Sequence, residues 1–207
     1  MQKLNLAKLQ KMFAAAAADI TAAEKDLSAL DAVCGDGDHG TAIKGAINAA
    51  NDAIAAAGDI KGAFFDAGFA SMSHSNGSTS TLFGSLLMGI SDGIDAGAEE
   101  LGAEEVAKAF KSGLDSVMSN TGAKVGDKTL MDALIPAVES MQGKTDLEEL
   151  FNSAAAAAAA GAESTVKLQA KFGRARNLGE KSVGSKDAGA VSDAMIFAAF
   201  AREFSKR

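Results

Sequence analysis

The chain has 207 residues, a formal net charge of −7 and an isoelectric point near 4.9. That balance counts against a nucleic-acid groove, which would need a basic face, and disfavours binding to an anionic membrane. A single cysteine permits no internal disulfide, which suits a reducing cytosol, and no stretch reaches the ~20 apolar residues of a membrane span.

Only 5% of residues are aromatic, with no Trp or Tyr, and long alanine runs take their place. One proline and sparse β-branched runs argue for helix over sheet. No Pro/Ser-rich linker or charge block divides the chain, so residues 1–207 are read as one domain. The opening lysines, Met12-Phe13 and the alanines after them resemble a signal peptide in outline. Asp19, Glu24, Lys25 and Asp26 follow without a break in helical spacing, which assigns the stretch to a first helix from Asn5 to Leu30.

An acidic loop comes next, Asp31-Ala32-Val33-Cys34-Gly35-Asp36-Gly37-Asp38-His39-Gly40. The second helix starts near His39 or Thr41 and reaches Ala57, where Gly58-Asp59 stops it and caps the third. That third helix, Ile60 to Met72, is expected to pack through Phe64, Phe65 and Phe69. A hydroxyl-rich loop, Ser73 to Thr81, leads into a fourth helix ending near Ala96, and a fifth spans Ala103 to Ser119. The loop Asn120 to Lys128 precedes a sixth helix, Thr129 to Met141, which Pro136 should kink. Asp146 caps a seventh helix running through the alanine tract 154–160 to Gln169. After the loop Phe172 to Gly189, an eighth helix closes the chain from Ala190 to Phe204.

The expected fold is thus all-α, an antiparallel up-and-down bundle of eight helices, because short connections make neighbours antiparallel. In such an array alternate connections share an end. The first, third, fifth and seventh are the glycine-rich, polar ones, so one rim should gather the chemistry and the opposite turns should be bland.

Three carboxylates in the first loop, Asp31, Asp36 and Asp38, repel one another unless a cation holds them. All-oxygen ligation suits Mg²⁺, Mn²⁺ or Ca²⁺. Counting Asp36 as the first position of an EF-hand puts Gly40 and Ile47 where ligands are required, which excludes that loop. The second polar loop brings Gly77, Ser78 and Thr79 to a helix N-terminus, an anion site by its dipole and free amides. Gly126-Asp127-Lys128-Thr129 imitates a Walker A loop, but Asp127 interrupts Gly-Lys-Thr and no strand precedes it. Arg174, Arg176, Lys181 and Lys186 concentrate cations in the last loop of an acidic protein, which suits phosphate. His39, beside the carboxylates, is assigned to phosphate; His74 and Cys34 are assigned structural roles, Cys34 as a small buried thiol. No Ser-His-Asp or Cys-His nucleophile set is apparent.

These motifs in this order resemble the L subunit of dihydroxyacetone kinase. The matching residues are Asp31 with Gly35-Asp36-Gly37-Asp38-His39-Gly40, Gly77 with Leu82-Phe83-Gly84, and Gly126-Asp127-Lys128-Thr129 with Asp132 and Pro136. Gly173-Arg174-Ala175, Leu178-Gly179-Glu180, Gly184, Asp187 and Gly189-Ala190 complete the set. The resemblance implies an eight-helix barrel with ADP or ATP held at one end through two Mg²⁺ ions. Asp31, Asp36 and Asp38 would ligate the metals. His39, Gly40, Thr41 and Ala42, with Ser78 and Thr79, would hold phosphates, and Thr121, Leu130, Arg174, Asp187, Ala188 and Gly189 would frame the rest.

The resemblance further implies a cytoplasmic phosphotransferase whose partners are a dihydroxyacetone-binding K subunit and a phosphohistidine carrier of the phosphotransferase system that re-phosphorylates ADP. A homodimer is a further partner it allows, and no nucleic acid or membrane is implied. The alternatives are a kinase for another small ketose such as erythrulose, and a regulatory ADP-binding protein that transfers nothing. Three loops depart from the family pattern. Asn76-Gly77-Ser78-Thr79-Ser80-Thr81 replaces a Gly-Gly-Ala/Ser-Ser-Gly-Pro loop, Arg176-Asn177 replaces Ser-Tyr, and Val125 and Ala188 stand where proline is usual.

Overall fold

The computed structural model describes residues 2–74 and 77–205; Met1, Ser75, Asn76, Lys206 and Arg207 lie outside that set. Ser75 and Asn76 belong to the hydroxyl-rich loop, so the sequence reading of those two positions lies outside the described residues as well.

Helices α1 (Leu6–Asp31), α2 (His39–Ala56), α3 (Ile60–His74), α4 (Ser78–Asp92), α5 (Ala103–Asn120), α6 (Met131–Met141), α7 (Leu147–Ser164) and α8 (Ala188–Ser205) make up the fold. Their starts are set by capping side chains. The Asn5 side chain accepts from the Lys8 amide at 2.9 Å, Asp59 from Gly62 at 2.8 Å and Asp146 from Glu149 at 3.0 Å. Each helix packs on its sequence neighbour, and α8 returns to α1 to close the ring. At the end away from the polar loops, Leu4–Asn5 pairs antiparallel with Glu100–Leu101, tying the start of α1 to the α4–α5 connection. So short a ladder uses backbone groups alone and leaves no propensity signal in the sequence. Among the described residues no helix is long and apolar enough to cross a membrane.

The interior is aromatic despite the composition. Phe13, Phe64, Phe110, Phe151, Phe197, Phe200 and Phe204 form one connected cluster with ring centroids 4.8 to 6.4 Å apart. Alanines such as Ala16, Ala46, Ala50, Ala63, Ala154 and Ala158 are buried on the inward helix faces, where a small side chain lets helix axes approach. The alanine tract is therefore packed helix.

The structure corrects several boundaries. The buried stripe of α3 is Ile60, Ala63, Phe64, Ala67, Gly68 and Ser71. Phe65 and Phe69 lie off it, 47% and 62% exposed. Helix α4 stops at Asp92 rather than near Ala96 because the Lys61 ammonium donates to the carbonyls of Ser91 and Ile94, at 2.7 Å each. Helix α7 gives way after Ser164 to a 3₁₀ turn, Thr165–Lys167, whose first carbonyl accepts from Lys128 at 2.8 Å. Helix α6 starts at Met131 rather than Thr129, since the Asp132 carboxylate takes the Thr129 amide (2.8 Å). Helix α8 starts two residues early because Asp187 caps it, accepting from the Ala190 amide at 2.8 Å. Pro136 sits inside α6 and removes the hydrogen bond its position would donate to the Asp132 carbonyl. Gly161 of α7 approaches that same carbonyl so closely that a Cβ there would lie 1.9 Å from it.

Candidate functional site

Because connections alternate ends, α2, α4, α6 and α8 all start at one rim. Their N-terminal residues line a single cavity of about 680 Å³: His39, Thr41 and Ala42 from α2, Ser78 and Thr79 from α4, Leu130 and Met131 from α6, Ala188 and Gly189 from α8. All four polar loops contribute to its wall, as the alternation of connections required. First-turn amides have no acceptor within their own helix, and each helix start carries partial positive charge. Four such ends around one space favour an anion.

Negative charge sits at the edge of this anion-seeking space. Asp31 ends α1, Asp36 lies in the loop and Asp38 precedes α2, and each offers an oxygen within 4.8 Å of the others. The loop is folded around Asp31, whose Oδ2 accepts from the amides of Gly37 (2.8 Å) and Asp38 (3.2 Å). A Cβ at Gly35 would come 2.4 Å from Asp31 Oδ1 and displace that carboxylate, and Gly37 takes φ +77°. Three converging carboxylates with no nitrogen or sulfur donor among them fit a hard divalent cation.

His39 is buried and turned toward two hydroxyls. Its Nδ1 lies 3.3 Å from Thr79 Oγ1 and its Nε2 lies 2.9 Å from Ser192 Oγ. Ser192 Oγ donates to the Gly189 carbonyl at 2.9 Å, so it must accept from His39 Nε2–H, and Nδ1 is left to accept from Thr79. Burial pushes this imidazole below its ordinary pKa, with the Asp31 charge acting in the opposite direction. A neutral ring thus ties the starts of α2, α4 and α8 together. Gly40, unlike the other sequence-assigned positions, does not line the cavity. It faces α1, where a Cβ would lie 2.0 Å from the Glu24 carbonyl.

The last loop closes one side of the mouth as a 3₁₀ segment, Arg174–Ser182, interrupted at Gly179. Arg174 reaches from it to pair with Asp36. Asp187 lines the cavity, and burial lifts its carboxyl to about 6, against the Ala190 amide that stabilises the charge. Cys34 is half-buried rather than fully buried, its Sγ 3.4 Å from Ser185 Oγ. Thr121 also lines the wall, and His74 lies there with its ring against Gly45.

A family model for the DAK2 domain matches residues 33–202. The chain belongs to the DAK2 domain family. Over 181 residues, 84% of this DAK2 domain and 86% of the relative, it is 32% identical to the ADP-binding subunit DhaL of the PEP-dependent dihydroxyacetone kinase of Escherichia coli. It is 34% identical to L-erythrulose 1-kinase of Mycolicibacterium smegmatis over 88% of the chain but only 33% of that enzyme. The dihydroxyacetone kinase of C. freundii, solved in complex with AMP-PNP and Mg²⁺, superposes with a TM-score of 0.76 at 27% identity, over 98% of this chain and 35% of that one. The chain thus spans about a third of these longer kinases and most of the E. coli subunit.

Sequence reasoning missed several residues of this DAK2 domain's site. Ser192, the acceptor for His39, lies 153 positions away, and no local pattern announces it. Asp193 reaches the floor beneath the cavity with Oδ2 unpartnered among the described residues, and burial pushes its carboxyl well above the ordinary range. Lys128, set aside with the false Walker loop, lines the wall and is buried. It holds φ +58°, the one positive value at a non-glycine among the described residues. That conformation costs about 1–2 kcal/mol and persists where contacts over-determine it.

Proposed function

We propose that residues 1–207 form one nucleotide-binding domain of the dihydroxyacetone kinase L type, which holds ADP or ATP and passes a phosphoryl group to dihydroxyacetone on a separate K subunit. The observation that carries this reading is the meeting of four helix N-termini with three clustered carboxylates at one cavity. The first call for an anion and the second for a divalent cation, and a Mg²⁺-nucleotide supplies both. The names and contents of the relatives support it: an ADP-binding subunit in one case, AMP-PNP with Mg²⁺ in another.

In this reading Asp31, Asp36 and Asp38 hold two Mg²⁺ ions, which supply neutralisation of charge on the phosphate oxygens. The amides of residues 39–42 and of Ser78 and Thr79 bind phosphate. The His39 ring, committed to Thr79 and Ser192, fixes the spacing of those amides instead of contacting phosphate itself. Arg174 adds a cation at the mouth, and Thr121, Leu130, Asp187, Ala188 and Gly189 border the nucleoside. In the transfer the bond from the terminal phosphorus to the ADP oxygen breaks as one to the substrate hydroxyl oxygen forms. The hydroxyl proton passes to a base on the K subunit. This domain positions and neutralises, and needs no nucleophile of its own. Exposed Val33, Val125, Phe172, Leu178 and Val183 lie on the loops around the mouth, an apolar fringe suited to a protein partner. A cytoplasmic phosphohistidine carrier would restore ATP from bound ADP.

A second reading replaces dihydroxyacetone by erythrulose, favoured by the 34% identity to L-erythrulose 1-kinase. Native mass spectrometry of the purified chain tests the shared core: bound ADP with two metals supports it. Titration with Mg-ADP should add about 2.7 kcal/mol of stability at a hundredfold excess over Kd, and no shift would leave only a helical bundle. Reconstitution with a K subunit on a panel of ketoses then separates the substrates, and single-turnover transfer excludes a purely regulatory role.

A further inference from the structure

The motif that imitates a Walker loop has a different use here. Lys128 extends from the α5–α6 loop into the α7–α8 connection, where its ammonium donates to the carbonyls of Thr165 (2.8 Å) and Ser185. These two acceptors bracket the last loop, one at the end of α7 and one just before Asp187. The neighbouring residue grips the same loop from its other side. The Asp127 carboxylate accepts from Lys171 Nζ at 2.8 Å, and its carbonyl accepts from the Lys171 amide at 3.1 Å. Asp127 is itself held, accepting from the Lys124 amide at 2.9 Å, while Asp132 takes the amides of Gly126 (2.6 Å) and Thr129 (2.8 Å). The loop carrying this pair is held by its own hydrogen bonds, and Lys128 within it takes the left-handed conformation.

We infer that Asp127 and Lys128 are positioning residues, a two-sided clamp that holds the loop of residues 171–186 across the mouth and so sets where Arg174 and Asp187 stand. Neither side chain need touch the nucleotide. The clamp's effect on affinity rests on the nucleotide reading above, but its effect on the loop does not. The ammonium also lies near Asp132 and Asp187, carboxylates that offset its charge inside the wall.

Hydrogen exchange on the ligand-free protein tests the loop, and calorimetry with Mg-ADP and electron paramagnetic resonance with Mn²⁺ test the site. Lys128→Met should speed exchange of amides 172–186 at least tenfold, leave the core of α1 to α4 protected and weaken Mg-ADP at least tenfold. Mn²⁺ affinity at the carboxylates, of which Asp36 pairs with Arg174 of that loop, should change less than Mg-ADP affinity does. Lys171→Met loosens the same junction from its exposed side and should accelerate the same amides to a smaller degree. Wild-type exchange of these amides in a folded Lys128→Met protein overturns the clamp. If Lys128→Met does not fold, Lys171→Met decides, and unchanged exchange there overturns it equally. Failure of the wild type to bind Mg-ADP would defeat the nucleotide reading alone and leave the exchange result standing.

Discussion

The guanidinium of Arg174 lies against the carboxylate of Asp36, joining the last loop to the first across the mouth of the cavity. Both side chains are substantially exposed, so the pair contributes little to stability; such pairs are worth roughly 0–1 kcal/mol. Its importance is positional, because among the described residues the cation paired with the carboxylate cluster comes from the loop expected to contact phosphate. Arg174→Ala should therefore change the urea midpoint barely, while Mg-ADP affinity falls about tenfold or more, since a hydrogen bond to a charged group is worth ~1.5–3 kcal/mol. Equal affinities in calorimetry would remove Arg174 from the site.

The three carboxylates should not behave alike. Asp36→Asn and Asp38→Asn are expected to abolish Mg²⁺-dependent ADP binding while circular dichroism and thermal stability stay near wild type. Asp31 also accepts two loop amides, so Asp31→Ala should lose binding and, in addition, about 1–3 kcal/mol of stability as those donors lose their partner. Mn²⁺ titration with chemical denaturation of each variant checks the distinction.

Asp187 makes stability depend on pH in a defined sense. Its folded carboxyl titrates near 6, against an ordinary value of 3.8. Between these values the folded state holds a proton that the unfolded chain has released, so acidification through 6 favours folding, and above 6 the ionised buried carboxylate is a penalty. Asp187→Asn keeps an oxygen to cap α8 and removes the charge. It should be more stable than wild type at pH 8, with the gap closing by about pH 4. Denaturation curves of both proteins across that range read the difference directly, and a constant gap would contradict the buried-carboxyl assignment.

Gly161 should tolerate no side chain. A Cβ would meet the Asp132 carbonyl at 1.9 Å, a backbone atom that moves only if α6 and α7 separate. Gly161→Ala is expected to cost about 3 kcal/mol or more, the upper part of the range for overpacking. Gly58→Ala is the control, for a Cβ there meets nothing within 4 Å. It should be neutral or stabilising by up to about 1 kcal/mol. Comparable losses in the two variants would discount the close approach.

Much of the architecture was legible without coordinates. Helical spacing is a local signal, and the caps Asp59 and Asp146 lie three residues from the amides they serve. Short connections forced alternation of ends, and alternation alone placed the four polar loops at one cavity. The carboxylates were legible because Asp31, Asp36 and Asp38 fall within eight positions of one another in the sequence.

Elsewhere a distant residue decided the outcome. Lys61 binds the Ser91 carbonyl of α4 and the Ile94 carbonyl just past its end, and Lys128 binds the Thr165 carbonyl just past the end of α7. Phe65 and Phe69 looked like packing residues until the stripe through Phe64 turned them outward. His39 pairs with Ser192 across 153 residues, a partner that no local pattern announces. The sequence by itself determined the helices, their alternation and the cluster of charge, because each depends on neighbours within a turn or a loop. Only the tertiary structure decided where helices stop, which face is buried and which partner each buried donor finds, because those choices are made by groups that the chain brings together after it has folded.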